Sequence, residues 1–250
     1  MTVFEGIIPV YQRGGTSMRL AIWDRLAETM GAENIYFELI DRPEFLHAIM
    51  NRMTEAALSG IKQMNQLGLV NDLANEVHCS MAYTDNDLPD FATGKGTHSK
   101  NTWQFAMAQV FTSVAPSTTK AFEIDYMKKI TAEYGHFYYG CCERLDDRLE
   151  IIQELPNVRK ISCSPWSDRE HFIETIRKDL IASNKPSPSF VSGSQVDFEV
   201  VRKDLQFSCD TAKKYGKKVE FILKDLSTIN YKPERLEKWS EVAMQVVENL

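Results

Sequence analysis

The sequence predicts an α/β fold built on a parallel sheet. Three observations carry this. From His136 onward, short apolar runs alternate with longer amphipathic segments, giving four strand–helix units in succession. The apolar runs are nearly continuous rather than alternating, as in strands buried on both faces. Each run stops at turn-forming or polar residues, which is where parallel α/β proteins bind ligands. That pattern fits either a (β/α) barrel or a doubly wound sheet.

The elements follow in order. Phe4–Tyr11 reads as a strand ended by Gly14-Gly15. Leu20 to Gly31 fits a helix, with Ile22, Leu26 and Met30 at helical spacing. Asp41-Arg42-Pro43 starts a helix, since proline suits a first turn, and an apolar stripe from Phe45 to Met64 runs on toward Gly68. Val77–Tyr83 reads as a strand or an ordered loop, Thr84–Pro89 as a turn, and Asp90–Lys100 as a surface loop or lid. Trp103–Val114 is open between helix and strand. Ser117 or Thr118 is expected to cap a helix bearing Phe122, Tyr126, Met127, Ile130 and Tyr134, closed by Gly135. Then come strand His136–Cys141, helix Asp146–Leu155, strand Val158–Cys163, helix Asp168–Ile176 and strand Leu180–Ser183. Helix Gln195–Tyr215, strand Val219–Leu223 and helix Pro233–Val247 complete the chain, the last with Leu236, Trp239, Val242, Ala243 and Val246 inward. About five or six strands emerge, short of the eight a closed barrel needs. Either N-terminal strands are missing from this chain, or the barrel is open, or Leu69–Val114 hides further strands.

The 250 residues suit a single domain with a sizeable core. A net charge of −6 argues against nucleic-acid or anionic-membrane partners. No apolar run approaches the roughly 20 residues of a membrane span. Met1–Glu5 lacks the features of a signal peptide, and five cysteines do not form an even disulfide set. The expectation is a cytoplasmic protein with reduced thiols.

The chemistry concentrates at Tyr139-Gly140-Cys141-Cys142-Glu143, where a strand runs out beside two thiols and a carboxylate. A metal there would use Cys141 or Cys142, Glu143, and a distant group such as His78 or Cys79; adjacent cysteines diverge from a strand unless the backbone turns sharply. Glu143 is a candidate base, or a helix-terminal acid. Lys185, Lys224 and Asp225 sit at expected strand ends, where Lys224-Asp225 can orient a carboxylate or phosphate. Trp166 follows Ser164-Pro165 and is a candidate pocket wall. His136 begins its strand and is expected at the opposite, structural end. No glycine-rich phosphate loop and no paired Cys-x-x-Cys is present.

Tyr139–Glu143, Arg159–Trp166, Ser183–Pro188 and Lys224–Thr228, with Asp41–Phe45, Tyr83-Thr84-Asp85, Leu88-Pro89 and Ala108-Gln109, resemble a bacterial branch of the uroporphyrinogen decarboxylase superfamily. The resemblance spans about Phe4 to the end. It implies a (β/α)8 TIM-type barrel, whole or lacking its N-terminal strands. It further implies either methyl transfer from a small methylated substrate to a corrinoid protein or thiol through zinc, or decarboxylation of a tetrapyrrole such as uroporphyrinogen III. A third expectation is a non-catalytic, truncated barrel domain completed by a partner chain. The candidate site residues are then Glu143, Lys224 and Asp225 for catalysis, Tyr139, Gln109, Trp166 and Lys185 for substrate, and Cys141, Cys142 and His78 for metal. Monomer and homodimer both remain open. Two departures stand out. Tyr139 occupies the position where the zinc methyltransferases carry histidine, and the late strand ends in Lys224-Asp225 without a cysteine. The arginine-rich N-terminal segment of the decarboxylase has no counterpart beyond Tyr11-Gln12-Arg13.

Overall fold

A computed structural model describes residues 6–7, 20–70, 76–81 and 98–249. The turn at Thr84–Pro89 and most of the Asp90–Lys100 loop lie outside these residues. So does the strand expected at Phe4–Tyr11, apart from Gly6 and Ile7, which form a turn.

Three helices come first: α1 (Ile22–Met30), α2 (Ala32–Asp41) and α3 (Pro43–Gln66). Pro43 occupies the first turn of α3, whose Leu46, Met50, Ala57 and Ile61 are buried. A small antiparallel hairpin, β1 (Glu76–Val77) and β2 (Ser80–Met81), follows. Next is β3 (Trp103–Ala106), so the ambiguous Trp103–Val114 segment is a strand followed by a 3-10 turn, Gln109–Ser113. The following helix joins α4 (Pro116–Thr119) to α5 (Asp125–Thr131) through a π-helical turn, Lys120–Ile124. Four strand–helix units then run to the end. They are β4 (His136–Tyr139) with α6 (Leu149–Ile152), β5 (Val158–Cys163) with α7 (Arg169–Thr175), β6 (Ile181–Asn184) with α8 (Ser189–Ser192) and α9 (Phe198–Tyr215), and β7 (Lys218–Phe221) with α10 (Glu234–Glu248).

The protein is mixed α/β, and β3 to β7 form a five-stranded, all-parallel sheet ordered as in the sequence. Leu20 adds a parallel bridge to Ala106 on the free edge of β3. The two faces of the sheet differ. Phe137, Tyr139, Ile161, Cys163 and Ala182 pack with Ile124, Met127, Ile130, Phe172 and Ile173 of the helices in the main core. By strand alternation, Trp103, Phe105, Tyr138, Lys160, Ser162, Ser183 and Glu220 point the other way. That second face is polar at Lys160, Ser162, Ser183 and Glu220 and aromatic at Trp103, Phe105 and Tyr138, and the β1–β2 hairpin is bonded to it.

Several expectations are corrected. The Asp146–Leu155 helix shrinks to one turn, because the Arg148 guanidinium binds the carbonyls of Phe111 (2.6 Å) and Val114 (3.1 Å) and anchors Glu143–Arg148 as a loop. Neither Ser117 nor Thr118 caps its helix; Ala115 is the N-cap and Pro116 opens the first turn. Leu236 is 39% exposed, while Trp239, Val242, Ala243 and Val246 are inward as expected. Helix α2 was not foreseen; Ile35 is its one buried residue. The helix expected at Gln195 starts at Phe198, where Asp197 accepts from the Glu199 N–H (2.9 Å), and ends on left-handed Gly216.

Candidate functional site

Strand β4 ends at Tyr139, and Gly140 turns the chain sharply at φ +99°. A Cβ there would stand 2.5 Å from Leu145 Cδ1 and 2.9 Å from Ser162 Cβ, so only glycine fits. Strict alternation would put Cys141 on Tyr139's side of the sheet; the glycine turn swings it to the polar face instead. The turn is pinned twice. The Cys141 N–H donates to Glu143 Oε2 (2.8 Å), and Ser162 Oγ donates to the Cys141 carbonyl (2.7 Å). The same turn brings Cys141 Sγ and Cys142 Sγ to 3.4 Å.

Two other segments converge on these thiols. After β7, Lys224 Nζ lies 3.1 Å from both Cys141 Sγ and Cys142 Sγ. Asp225, in a left-handed conformation, takes a hydrogen bond from Cys142 Sγ (3.3 Å) and pairs with Lys224 (3.2 Å). From the hairpin, His78 Nε2 lies 3.1 Å from Cys141 Sγ, and its ring stacks on Phe105 at 4.6 Å. Cys79 Sγ meets the hydroxyl of Tyr138 at 3.1 Å. His78 Nε2, Cys79 Sγ and Cys141 Sγ all lie within 4.8 Å of one another and can hold one metal ion. Cys142 lies outside that group of three, beside Cys141.

Protonation follows the geometry. A hydrogen bond from Cys141, with Lys185, Tyr138 and Lys224 nearby, brings the Cys79 thiol down to about 5. The same hydrogen bond and burial push Cys141 up. Burial opposes the Lys224 charge, yet its bonds to Cys142 and Cys141 and the charge on Cys79 hold that ammonium protonated. Burial lowers Lys185 to about 8. A cavity of about 330 Å³ opens here, lined by His78, Cys79, Cys141, Ile222, Lys224 and Asp225 among others.

The remaining expected site residues are dispersed. Glu143 is buried behind the turn, with Oε2 bound to Cys141 N and Oε1 without a partner; burial raises it to about 7. Lys185 is buried, bonded to the carbonyl (3.2 Å) and hydroxyl of Ser183 and lying over the Tyr138 ring at 5.3 Å, and it lines a separate cavity with Ser164 and Arg169. None of the four residues expected at the substrate, Lys185 included, is in the wall of the cavity beside the thiols. Tyr139 faces the helices, its hydroxyl on Glu123 (3.5 Å). Gln109 binds Asp24 (3.2 Å) at the edge of α1. Trp166 is 77% exposed on the surface. His136, at the amino end of β4, meets Trp103 edge-on at 5.0 Å, far along the strand from the thiols.

The sequence reading missed Tyr138, Ser80, Lys160 and Glu220. A lysine between Val158 and Ile161, and a glutamate between Val219 and Phe221, are charges inside buried strands, and that was the available signal. No family model matches this chain, nor does any curated protein or solved structure. Fold and site therefore define it only as an α/β protein with a thiol–imidazole cluster at the carboxyl end of a parallel sheet.

Proposed function

We propose that this chain is a (β/α)8-type barrel enzyme of the uroporphyrinogen decarboxylase superfamily, transferring a methyl group from a small methylated substrate to a corrinoid protein or a thiol. The observation that carries this reading is the group His78, Cys79 and Cys141, its donor atoms within 4.8 Å of one another. Two thiols and one imidazole are a ligand set used by catalytic zinc, which leaves a fourth position for substrate. The donor set suits zinc, since Cys79 is already acidified in the absence of metal. A bound zinc ion would act there as a Lewis acid on the reacting group. The hairpin would thus supply the imidazole and second thiol that the strand ends lack by comparison with the zinc methyltransferases.

The chain's own groups have separate tasks in this reading. Tyr138 orients the Cys79 thiol. Lys224, on the cavity wall beside Asp225, neutralises thiolate charge and binds an anionic group of the substrate. Glu143 holds the Cys141 turn through its N–H. The barrel reading draws on the unbroken chain order of β3 to β7 and on Leu20 extending the sheet past β3. A cavity of about 330 Å³ lies at the small end of the ~300–1,000 Å³ usual for ligand sites, which favours a small substrate over a tetrapyrrole. Cys79, Cys141, Cys142, Cys163 and Cys209 are free, consistent with a reducing compartment such as the cytoplasm.

Zinc titration against a chromophoric chelator tests the metal, and formation of methyl-corrinoid from reduced corrinoid and candidate methyl donors tests the transfer. One zinc per chain is expected, lost in Cys79→Ser and Cys141→Ser. No zinc uptake, together with full activity of Cys141→Ser, would overturn the reading.

A further inference from the structure

Among the described residues, the strands of the hairpin that carries His78 and Cys79 pair with each other, Glu76 with Met81 and Val77 with Ser80. A two-stranded hairpin is marginal on its own in water. Something must hold it against the larger sheet, or two of the three donors would not stay beside Cys141.

One carboxylate gathers the polar ties. Ser80 Oγ, from the hairpin, donates to Glu220 Oε1. Ser183 Oγ, from β6, donates to the same oxygen (2.5 Å). Lys160 Nζ, from β5, donates to Glu220 Oε2 (2.7 Å) and also to the carbonyl of Met81 in the hairpin (2.5 Å). Three elements thus meet on one side chain of β7. Lys160 is 1% exposed and Glu220 is 19% exposed in its side chain, so neither charge is well served by water. His78 on Phe105 and Cys79 on Tyr138 add contacts at the donors themselves, and the Glu220 bonds hold the strand that follows them.

We infer that Glu220, bridged by Ser80 and Lys160, is the positioning residue of the thiol site: its carboxylate locks the hairpin bearing His78 and Cys79 onto the sheet bearing Cys141. This goes with the metal reading above, but the positioning holds with or without metal. Supporting residues of this kind typically change metal affinity 10–100-fold when removed.

The test uses Ser80→Ala, which cuts the direct tie between Glu220 and the hairpin and leaves the Lys160 bonds to Glu220 and to the Met81 carbonyl in place, together with Ser80→Thr, which keeps a hydroxyl. In a Cys142→Ser background, the equilibrium with glutathione disulfide reports the effective concentration of Cys79 against Cys141: two protein thiols and one glutathione disulfide give one protein disulfide and two glutathione thiols. Zinc affinity is measured in parallel on the full chain. Ser80→Ala should lower both quantities by about tenfold or more, and Ser80→Thr should restore most of the loss, with unfolding midpoints unchanged. Unchanged effective concentration in Ser80→Ala would overturn the proposal. A fall in effective concentration in a protein that never binds zinc would support it while rejecting the metal. Should Glu220→Gln fold, it should behave like Ser80→Ala; the serine variants carry the test alone if it does not.

Discussion

Gly140→Ala should destabilise the protein by several kcal/mol and uncouple the two vicinal thiols. The backbone there has φ +99°, and a left-handed conformation costs a non-glycine residue roughly 1–2 kcal/mol. The new methyl would also meet Ser162 Cβ at 2.9 Å and Leu145 Cδ1 at 2.5 Å. The leucine tip can rotate away, but Ser162 sits on β5 and holds the Cys141 carbonyl, so overpacking adds roughly 1–3 kcal/mol. Together these give about 2–5 kcal/mol. Urea unfolding followed by far-UV circular dichroism reads the loss directly. A change below about 0.5 kcal/mol, the range of an ordinary surface substitution, would show that the turn does not require glycine and that the account of how Cys141 reaches the polar face is wrong.

Further predictions follow from the same groups. Burial raises Glu143 from the ordinary ~4.3 to about 7, so the folded state favours its protonated form. Its contribution to stability is complete below about pH 4 and is lost as pH rises to 7, at up to about 1.4 kcal/mol per pH unit. Glu143→Gln should flatten that decline and be more stable than the parent at pH 8; equal slopes in the two proteins would refute the assignment. Lys160→Ala leaves Glu220 without its buried cation and should cost about 3–5 kcal/mol, while Lys160→Met with Glu220→Leu should recover much of it. A thermal-melt double-mutant cycle decides this, and additive losses would contradict a coupled pair. Cys142 stands outside the three-donor group, so Cys142→Ser should keep zinc stoichiometry near one, measured by metal analysis after gel filtration, whereas His78→Ala should lower it.

The second half of the fold was legible in the sequence because its strands are apolar runs cut off by Gly140, Ser164-Pro165 and Lys185-Pro186, and because Asp168 and Gly216 mark helix ends; Asp197, the cap of α9, was passed over. The hairpin was not legible. Its strands are two residues long, too short for any period to show, and its place depends on Lys160 and Glu220, distant in sequence. The site was half legible for the same reason. Cys141, Lys224 and Asp225 follow strands and could be placed at their carboxyl ends, and His78 and Cys79 could be named only as distant donors. Their meeting with Cys141 depends on side-chain bonds across the polar face. Tyr139 was expected at the substrate, but Phe137, two residues before it, faces the core, and alternation puts Tyr139 there too. Trp166 follows a strand end closely enough to suggest a pocket wall, yet the Ser164–Ser167 turn carries it outward to solvent.

X-ray absorption at the zinc edge of the metal-loaded full chain tests the three-donor site most directly. Two sulfur neighbours at about 2.3 Å with nitrogen or oxygen at about 2.0–2.1 Å are expected, falling to one sulfur in Cys79→Ser. A zinc surrounded only by nitrogen and oxygen, or a spectrum that Cys79→Ser leaves unaltered, would contradict a centre formed by His78, Cys79 and Cys141.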